Sequence, residues 1–155
     1  MDTVGVYQYC LVGWREWVVF PDFANARVKA KVDTGARTSA IHAEEIKLVN
    51  MGGAERVSFV LHPDQGSRDV VVSCEAPLIE RRAITDSGGH EEERFVVGVR
   101  LQLGQHDWPI ELSLTDRDSM GFRMLLGRSA LKKRFLVQPW RSYREGRPLR
   151  ASPVK

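Results

Sequence analysis

Apolar and polar residues alternate with a period of two along much of the chain, the spacing that turns one face of a strand to a core and the other to water. Val28, Ala30 and Val32 are interleaved with Arg27, Lys29 and Lys31. The same pattern recurs at Val57, Phe59 and Leu61, from Phe95 through Val97, Val99 and Leu101 to Leu103, and from Trp108 through Ile110 and Leu112 to Leu114. Gly104 to Asp107 separates the last two runs by a stretch suited to a hairpin. Gly52-Gly53, Pro63 to Gly66, and Asp86 to Gly89 mark further turns. Helical spacing is sparse. Ser129 to Phe135, after Gly127, sets Leu131 and Phe135 four apart and predicts one short helix. Thr38 to Leu48 fits either a helix or a strand with a turn. Many short strands joined by turns predict a mostly β domain, an antiparallel barrel or sandwich.

Composition narrows the class. The chain has 155 residues, 43% hydrophobic and 28% charged, which suits one globular domain and excludes a disordered or collagen-like chain. Two cysteines, Cys10 and Cys74, rule out a disulfide scaffold and favour a reducing compartment. No apolar run approaches the roughly 20 residues of a membrane span, and the first residues lack a signal-peptide pattern. The expectation is a soluble, cytoplasmic domain with no membrane partner. The net charge of +3 is concentrated near the end. From Gln138 onward there are five basic residues and one acid, against 18 and 19 in the rest. The expected organisation is a β domain over 1–137 and a basic, Pro-containing tail over 138–155. Such a tail suits an arm that touches nucleic acid or an acidic partner, or a solvated terminus.

Several catalytic patterns are missing. His42, His62, His90 and His106 never form the helical pair of metal-binding histidines, since Arg94 stands where a second histidine would follow His90. The two cysteines lie too far apart for a zinc knuckle, and no phosphate-cradling glycine loop occurs. Neither a metal nor a nucleotide cofactor is expected. Trp14, Trp17, Trp108 and Trp140 read as core or interface aromatics. Asp33-Thr34-Gly35-Ala36 ends an alternating strand, where a carboxylate is held at a bend and glycine frees the backbone. Met124-Leu125-Leu126-Gly127-Arg128 precedes the predicted helix.

Together these two segments resemble the paired signatures of retropepsins, the viral-type aspartic proteases. Ser87-Gly88-Gly89 and the strand from Arg94 sit where a retropepsin has its flap. A closer resemblance runs from about Val12 to Pro139, through Gly13-Trp14-Arg15-Glu16, Lys31 to Ala40, Glu80-Arg81-Arg82, Asp86 to Gly89 and Phe122 to Arg128. These residues look like a bacterial retropepsin-like family commonly labelled ATP-dependent zinc protease and associated with the RimK-type glutamate ligase. Gln138 departs from that pattern, which has aspartate there.

The resemblance implies a closed β-barrel of the acid-protease type with a short helix after the Gly-Arg motif. It implies an aspartic peptidase acting as a C2 homodimer, because one Asp-Thr-Gly supplies one of the two carboxylates required. In that reading Asp33 is the catalytic acid-base, Thr34 braces the loops across the axis, and Gly35 admits substrate backbone. Ala36, Arg37, Gly88 and Gly89 contact substrate, and Gly127 and Arg128 support the fold or the dimer. Retropepsins commonly pair the arginine with an aspartate four residues past the catalytic one; here that position is Arg37. Arg128 is therefore expected to find another acid, and the cleft to favour acidic peptides through Arg37 with Arg81, Arg82 or Arg94. Association with the ligase points to oligoglutamate tails, such as those of a ribosomal protein, as substrate. Two other readings stand beside this one. The first is a non-catalytic β-barrel adaptor that binds a glutamate ligase or a ribosomal component through the basic tail. The second takes the family label at its word, as a metallopeptidase.

Overall fold

The computed structural model describes residues 9–86, 88–116 and 121–147. The strands are β1 (Cys10–Val12), β2 (Arg15–Phe20), β3 (Ala26–Asp33), β4 (Ser39–His42), β5 (Glu44–Met51) and β6 (Ala54–Leu61). After them come β7 (Val72–Thr85), β8 (Glu91–Leu103), β9 (His106–Thr115), β10 (Met124–Gly127), the single helical turn α1 (Arg128–Leu131) and β11 (Phe135–Val137). Six strands close a barrel in the order β2-β3-β10-β4-β9-β8, with β8 returning to β2 where Gln102 meets Val19. The meander β5-β6-β7 continues the sheet outward from β8, and β1 pairs in parallel with β11 as a separate two-stranded ribbon.

The period-two residues build the core. Val28, Ala30, Val57, Phe59 and Leu61 are buried, as are alternate residues of β8 from Val97 to Leu103 and of β9 from Trp108 to Leu114. Burying each side chain of this size contributes roughly 1.5–3 kcal/mol, so this lattice supplies most of the driving force. Val32 and Phe95 are only partly buried, because β3 leaves the barrel at its end and β8 begins on an arm outside it. The hairpin predicted at Gly104 is a two-residue turn in which Gly104 takes φ +58°.

Three local expectations are refined. Thr38 to Leu48 is two strands, β4 and β5, broken at Ala43. The predicted helix over Ser129–Phe135 is shorter and begins earlier: α1 ends at Leu131, Lys133 takes φ +67°, and Phe135 pairs with Cys10 in the β1–β11 ribbon. Trp108 is core, whereas Trp140 is 73% exposed.

Past Val137, the chain described to Arg147 stays fastened to the barrel. Trp14 N–H donates to the Arg141 carbonyl at 2.8 Å, and Tyr143 N–H to the Arg15 carbonyl at 2.9 Å. Gly13 permits this, since a Cβ there would stand 2.1 Å from the Arg141 oxygen. The fastening centres on Glu16, which is 0% exposed. Its carboxylate accepts backbone N–H groups from Gly13 at 2.6 Å, Arg144 at 2.8 Å and Glu145 at 3.1 Å. A buried charge persists only when its lone pairs are used, and three N–H donors use them.

On the other side, Arg68 grips Glu44 through both Nη atoms at 2.6 and 2.7 Å, while His42 and His62 approach it at 3.2 and 3.4 Å. Arg68 first, then His42, hold the Glu44 carboxyl at about 2 against an ordinary 4.5. The stability this gives is present above pH 4.5 and is lost as pH falls toward 2. Among the described residues no group of His, Cys, Asp and Glu is arranged to hold a metal ion. Burial pushes the Cys74 thiol up to about 12, and burial followed by Glu145 raises Cys10.

Glu16→Ala leaves three backbone donors without an acceptor. The expected loss is about 3 kcal/mol in urea denaturation, with the 138–147 segment becoming the first site of limited proteolysis.

Candidate active site

Asp33 ends β3 and Gly127 ends β10, and the parallel register of the two strands sets these residues side by side. β10 is also antiparallel to β4, so it fills the gap between β3 and β4 and forces residues 34–38 to arch over its end. That arch is clamped from below. Arg128 N–H donates to the Ala36 carbonyl at 2.8 Å, and Ser129 gives both its N–H, at 3.1 Å, and its hydroxyl, at 2.6 Å, to the Arg37 carbonyl. Gly127 N–H donates to Ser39 Oγ at 2.9 Å. Ser113 Oγ in turn donates to the Ser39 carbonyl at 3.1 Å.

Gly127 is required by space, not by φ. A Cβ there would lie 2.8 Å from the Thr38 carbonyl carbon and 3.0 Å from the Ala36 oxygen. The loop backbone can cross β10 this closely only where no side chain stands.

Asp33 is half-buried, with Thr34, Gly35 and Arg37 exposed beyond it and Ala36 partly covered. Its Oδ1 accepts the Gly35 N–H at 3.0 Å. Among the described residues nothing holds Oδ2. The carboxylate is thus oriented by its own loop and left with one open oxygen.

Among the described residues Arg128 meets no acid, contrary to expectation. Its Nη1 donates to the Gly35 carbonyl at 3.0 Å and the Thr34 carbonyl at 3.4 Å. With Arg37 in place of a carboxylate, the guanidinium takes the nearest acceptors, which belong to the Asp33 loop itself. A cavity of about 530 Å³ adjoins this loop, lined by Thr34, Arg37, Arg128 and Lys132 together with Leu131 and Phe135. Asp33 does not line it, so the cavity lies beside the carboxylate and not over it.

The proposed flap is the β7–β8 arm. At its turn Asp86 Oδ1 accepts N–H groups from Gly88 and His90, both at 2.9 Å, and Gly89 takes φ +84°. A Cβ on Gly89 would meet nothing within 4 Å, so Gly89 stands in open space. Ser87 lies outside the described residues. What joins the arm to the loop is Arg82, whose Nη1 donates to Thr38 Oγ1 at 2.8 Å while Nη2 binds Glu111 at 2.8 Å and Glu80. Arg94 pairs with Glu92. Two of the four arginines expected to meet substrate are therefore engaged with carboxylates, and Arg37 and Arg81 remain exposed.

The structure thus gathers Asp33, Thr34, Gly35, Ala36, Arg37, Gly127 and Arg128 at one end of the barrel, and leaves Gly88 and Gly89 on the arm. Sequence reading did not single out Ser39, Ser113 or Ser129 for the roles they take. A serine in a polar context carries no mark of the carbonyl or N–H it will meet.

Residues 11–148 match the model of the RimB-like family, described as retropepsin-like aspartic endopeptidase RimB. The chain is 48% identical over 133 residues to a probable alpha-L-glutamate ligase of Shewanella halifaxensis, covering 86% of this chain and 29% of that protein. A protein of the same name from Desulfotalea psychrophila is 46% identical over 129 residues, covering 83% and 28%. The chain spans under a third of the length of these curated relatives. A crystal structure of a Legionella pneumophila protein of unknown function aligns with a TM-score of 0.75 and 24% identity, covering 88% of this chain and 98% of that one. That last likeness concerns the fold.

Gly127→Ala tests the close crossing. Its methyl group must displace loop backbone, so a loss of about 1–3 kcal/mol is expected in thermal or urea unfolding, with faster amide exchange at Ala36 and Arg37. An unchanged exchange pattern would show that the loop is not held there.

Proposed function

Since the chain belongs to the RimB-like family of retropepsin-like aspartic endopeptidases, we propose that it hydrolyses peptide bonds as a C2 homodimer, with Asp33 of one protomer facing Asp33 of its partner. The observation that carries this reading is the setting of Asp33, one oxygen fixed by Gly35 N–H and the other open, on a loop clamped by Arg128 and Ser129. Two such carboxylates a few Å apart cannot both ionise readily and share a proton. The ionised one takes a proton from water, whose oxygen adds to the scissile carbonyl carbon. The protonated one donates to the carbonyl oxygen. Collapse of the tetrahedral adduct expels the amine, which leaves with a proton, and the carboxyl pair is regenerated.

Exposed Thr34 and Gly35 suit the roles of bracing across the axis and admitting substrate backbone. The Gly88-Gly89 tip suits a flap that closes over a bound peptide. Glutamate-rich peptides are the substrate class we favour. Arg37 is exposed, has no carboxylate partner among the described residues, and shares the adjoining cavity with Arg128 and Lys132. A glutamate ligase, the name carried by the relatives, would also make such peptides.

The runner-up is a non-catalytic adaptor for a glutamate ligase. It is favoured by one observation, that the matching stretch makes up 28–29% of longer relatives that bear the ligase name.

Cleavage of glutamate-rich and neutral peptides by wild type and Asp33→Asn, with and without chelator, separates these readings. The expected result is turnover that survives chelator and falls by about a thousandfold or more in the mutant. Turnover unaffected by Asp33→Asn overturns the aspartic mechanism. A monomer in sedimentation with no turnover favours the adaptor. Within the active enzyme, Arg37→Glu should lower kcat/KM on glutamate-rich peptides by about tenfold or more and leave neutral ones nearly unchanged. Equal losses on both would remove the specificity claim.

A further inference from the structure

Cations are not distributed alike over this surface. Away from the barrel's β2–β3 face, several arginines meet acids: Arg56 with Glu75, Arg68 with Glu44, Arg82 with Glu111, and Arg100 with Asp107. The outward residues of β2 and β3 differ. Arg15, Trp17 and Val19 stand opposite Lys31, Lys29 and Arg27 in register, with no acid among them. Arg15 and Lys31 are directly opposed like charges, an arrangement that works against the sheet.

The fastened segment adds to the same face. Arg147, Lys29 and Arg27 converge on the Trp17 ring at 5.1, 5.3 and 5.5 Å from its centroid. Arg15 lies between Trp14, at 4.5 Å, and Tyr143, at 4.8 Å. Arg15, Lys29, Lys31, Arg144 and Arg147 have no carboxylate partner among the described residues. The one acid of the segment, Glu145, turns instead toward Cys10 and Gly104. Immediately before, Trp140 holds its indole 73% exposed.

We propose that this face binds single-stranded nucleic acid, with phosphates along Lys31, Lys29, Arg147 and Arg144 and a base on the exposed Trp140. Cations held in place over aromatic rings, and opposed to one another without counter-charge, gain most from a polyanion. Successive outward residues of β3 are about 6.6 Å apart, giving an extended strand a row of charges to follow. An acidic peptide would satisfy the same cations. An exposed indole, however, offers an oligoglutamate little, whereas an unpaired base stacks on its face. A duplex hides its base faces and is the poorer fit. The proposal makes no use of Asp33 and stands apart from the peptidase reading.

Fluorescence anisotropy tests it with three labelled probes of about twelve units each: oligouridylate, oligothymidylate and oligoglutamate. The wild type should bind one or both oligonucleotides, a preference for oligouridylate identifying RNA. Affinity should fall with salt with a log–log slope of about −0.7 per phosphate neutralised, or roughly −3 for four contacts. The double variant Lys29→Glu/Arg147→Glu should weaken binding at least about tenfold, and Trp140→Ala at least about fivefold, with unchanged melting. Asp33→Asn should bind as the wild type does. Failure of both oligonucleotides to bind at low salt overturns the proposal. So does oligoglutamate binding as tightly as either oligonucleotide while Trp140→Ala has no effect, which would assign the face to acidic proteins.

Discussion

The backbone of residues 34–38 crosses strand β10 where Gly127 has no side chain, and the architecture of the barrel's end follows from that close approach. β3 and β4 are neighbours in sequence but not in the sheet, because β10 lies between them, parallel to one and antiparallel to the other. The intervening loop must therefore bridge a strand. It does so with carbonyls aimed at the N–H groups and side chains that follow Gly127, so Ala36 and Arg37 meet Arg128 and Ser129. A five-residue loop rich in small and polar residues would be mobile by itself. Here it is held by contacts nearly a hundred residues away in sequence. The Asp33 carboxylate, which accepts the Gly35 N–H of that loop, shares its rigidity, which the proposed catalytic role would require of its support.

Arginines do three different jobs in this molecule. Arg82 links the β7–β8 arm to the Thr38 end of the loop while anchored on Glu80 and Glu111. Any motion of the arm as a flap must therefore occur beyond that residue. Arg128 has turned from its expected acid to the carbonyls of Thr34 and Gly35, because the neighbouring position holds Arg37. On the β2–β3 face Arg15, Lys29 and Arg147 lie against rings and meet no carboxylate among the described residues, an arrangement that stands to gain from an anionic ligand. Exposed ion pairs contribute little individually, so this clustering of cations speaks of binding more than of stability.

The motif Gly13-Trp14-Arg15-Glu16 ties these parts together. Gly13 makes room for the Arg141 backbone, Glu16 collects three N–H groups, and the two intervening side chains belong to the basic aromatic face. The segment after Val137 thus serves as the outer wall of β2 as far as Arg147. Through Arg147 its charge joins a surface built largely from β2 and β3.

Periodicity carried the mostly β class, the strands from Val57 and from Phe95 onward, the Gly104 hairpin and the core, because burial of one strand face imposes the alternation directly. The Asp-Thr-Gly-Ala and Leu-Leu-Gly-Arg segments were legible as a pair, since each needs particular residues at a bend. Helix length was not: α1 stops at Leu131 because Phe135 is drawn into pairing with Cys10, a partner more than a hundred residues away. Nor could the sequence reveal that Glu16 would be buried, that Arg128 would turn to carbonyls, or that Arg82 would be spent on Glu111. Each of these depends on which distant donor or acceptor the fold brings within hydrogen-bond reach, and local spacing holds no information about that. The sequence by itself determined which residues face inward and which bends carry chemistry. The tertiary structure decided which polar groups are satisfied and which are left for a ligand, because hydrogen bonds and charge pairs form only between groups that strand order has made neighbours.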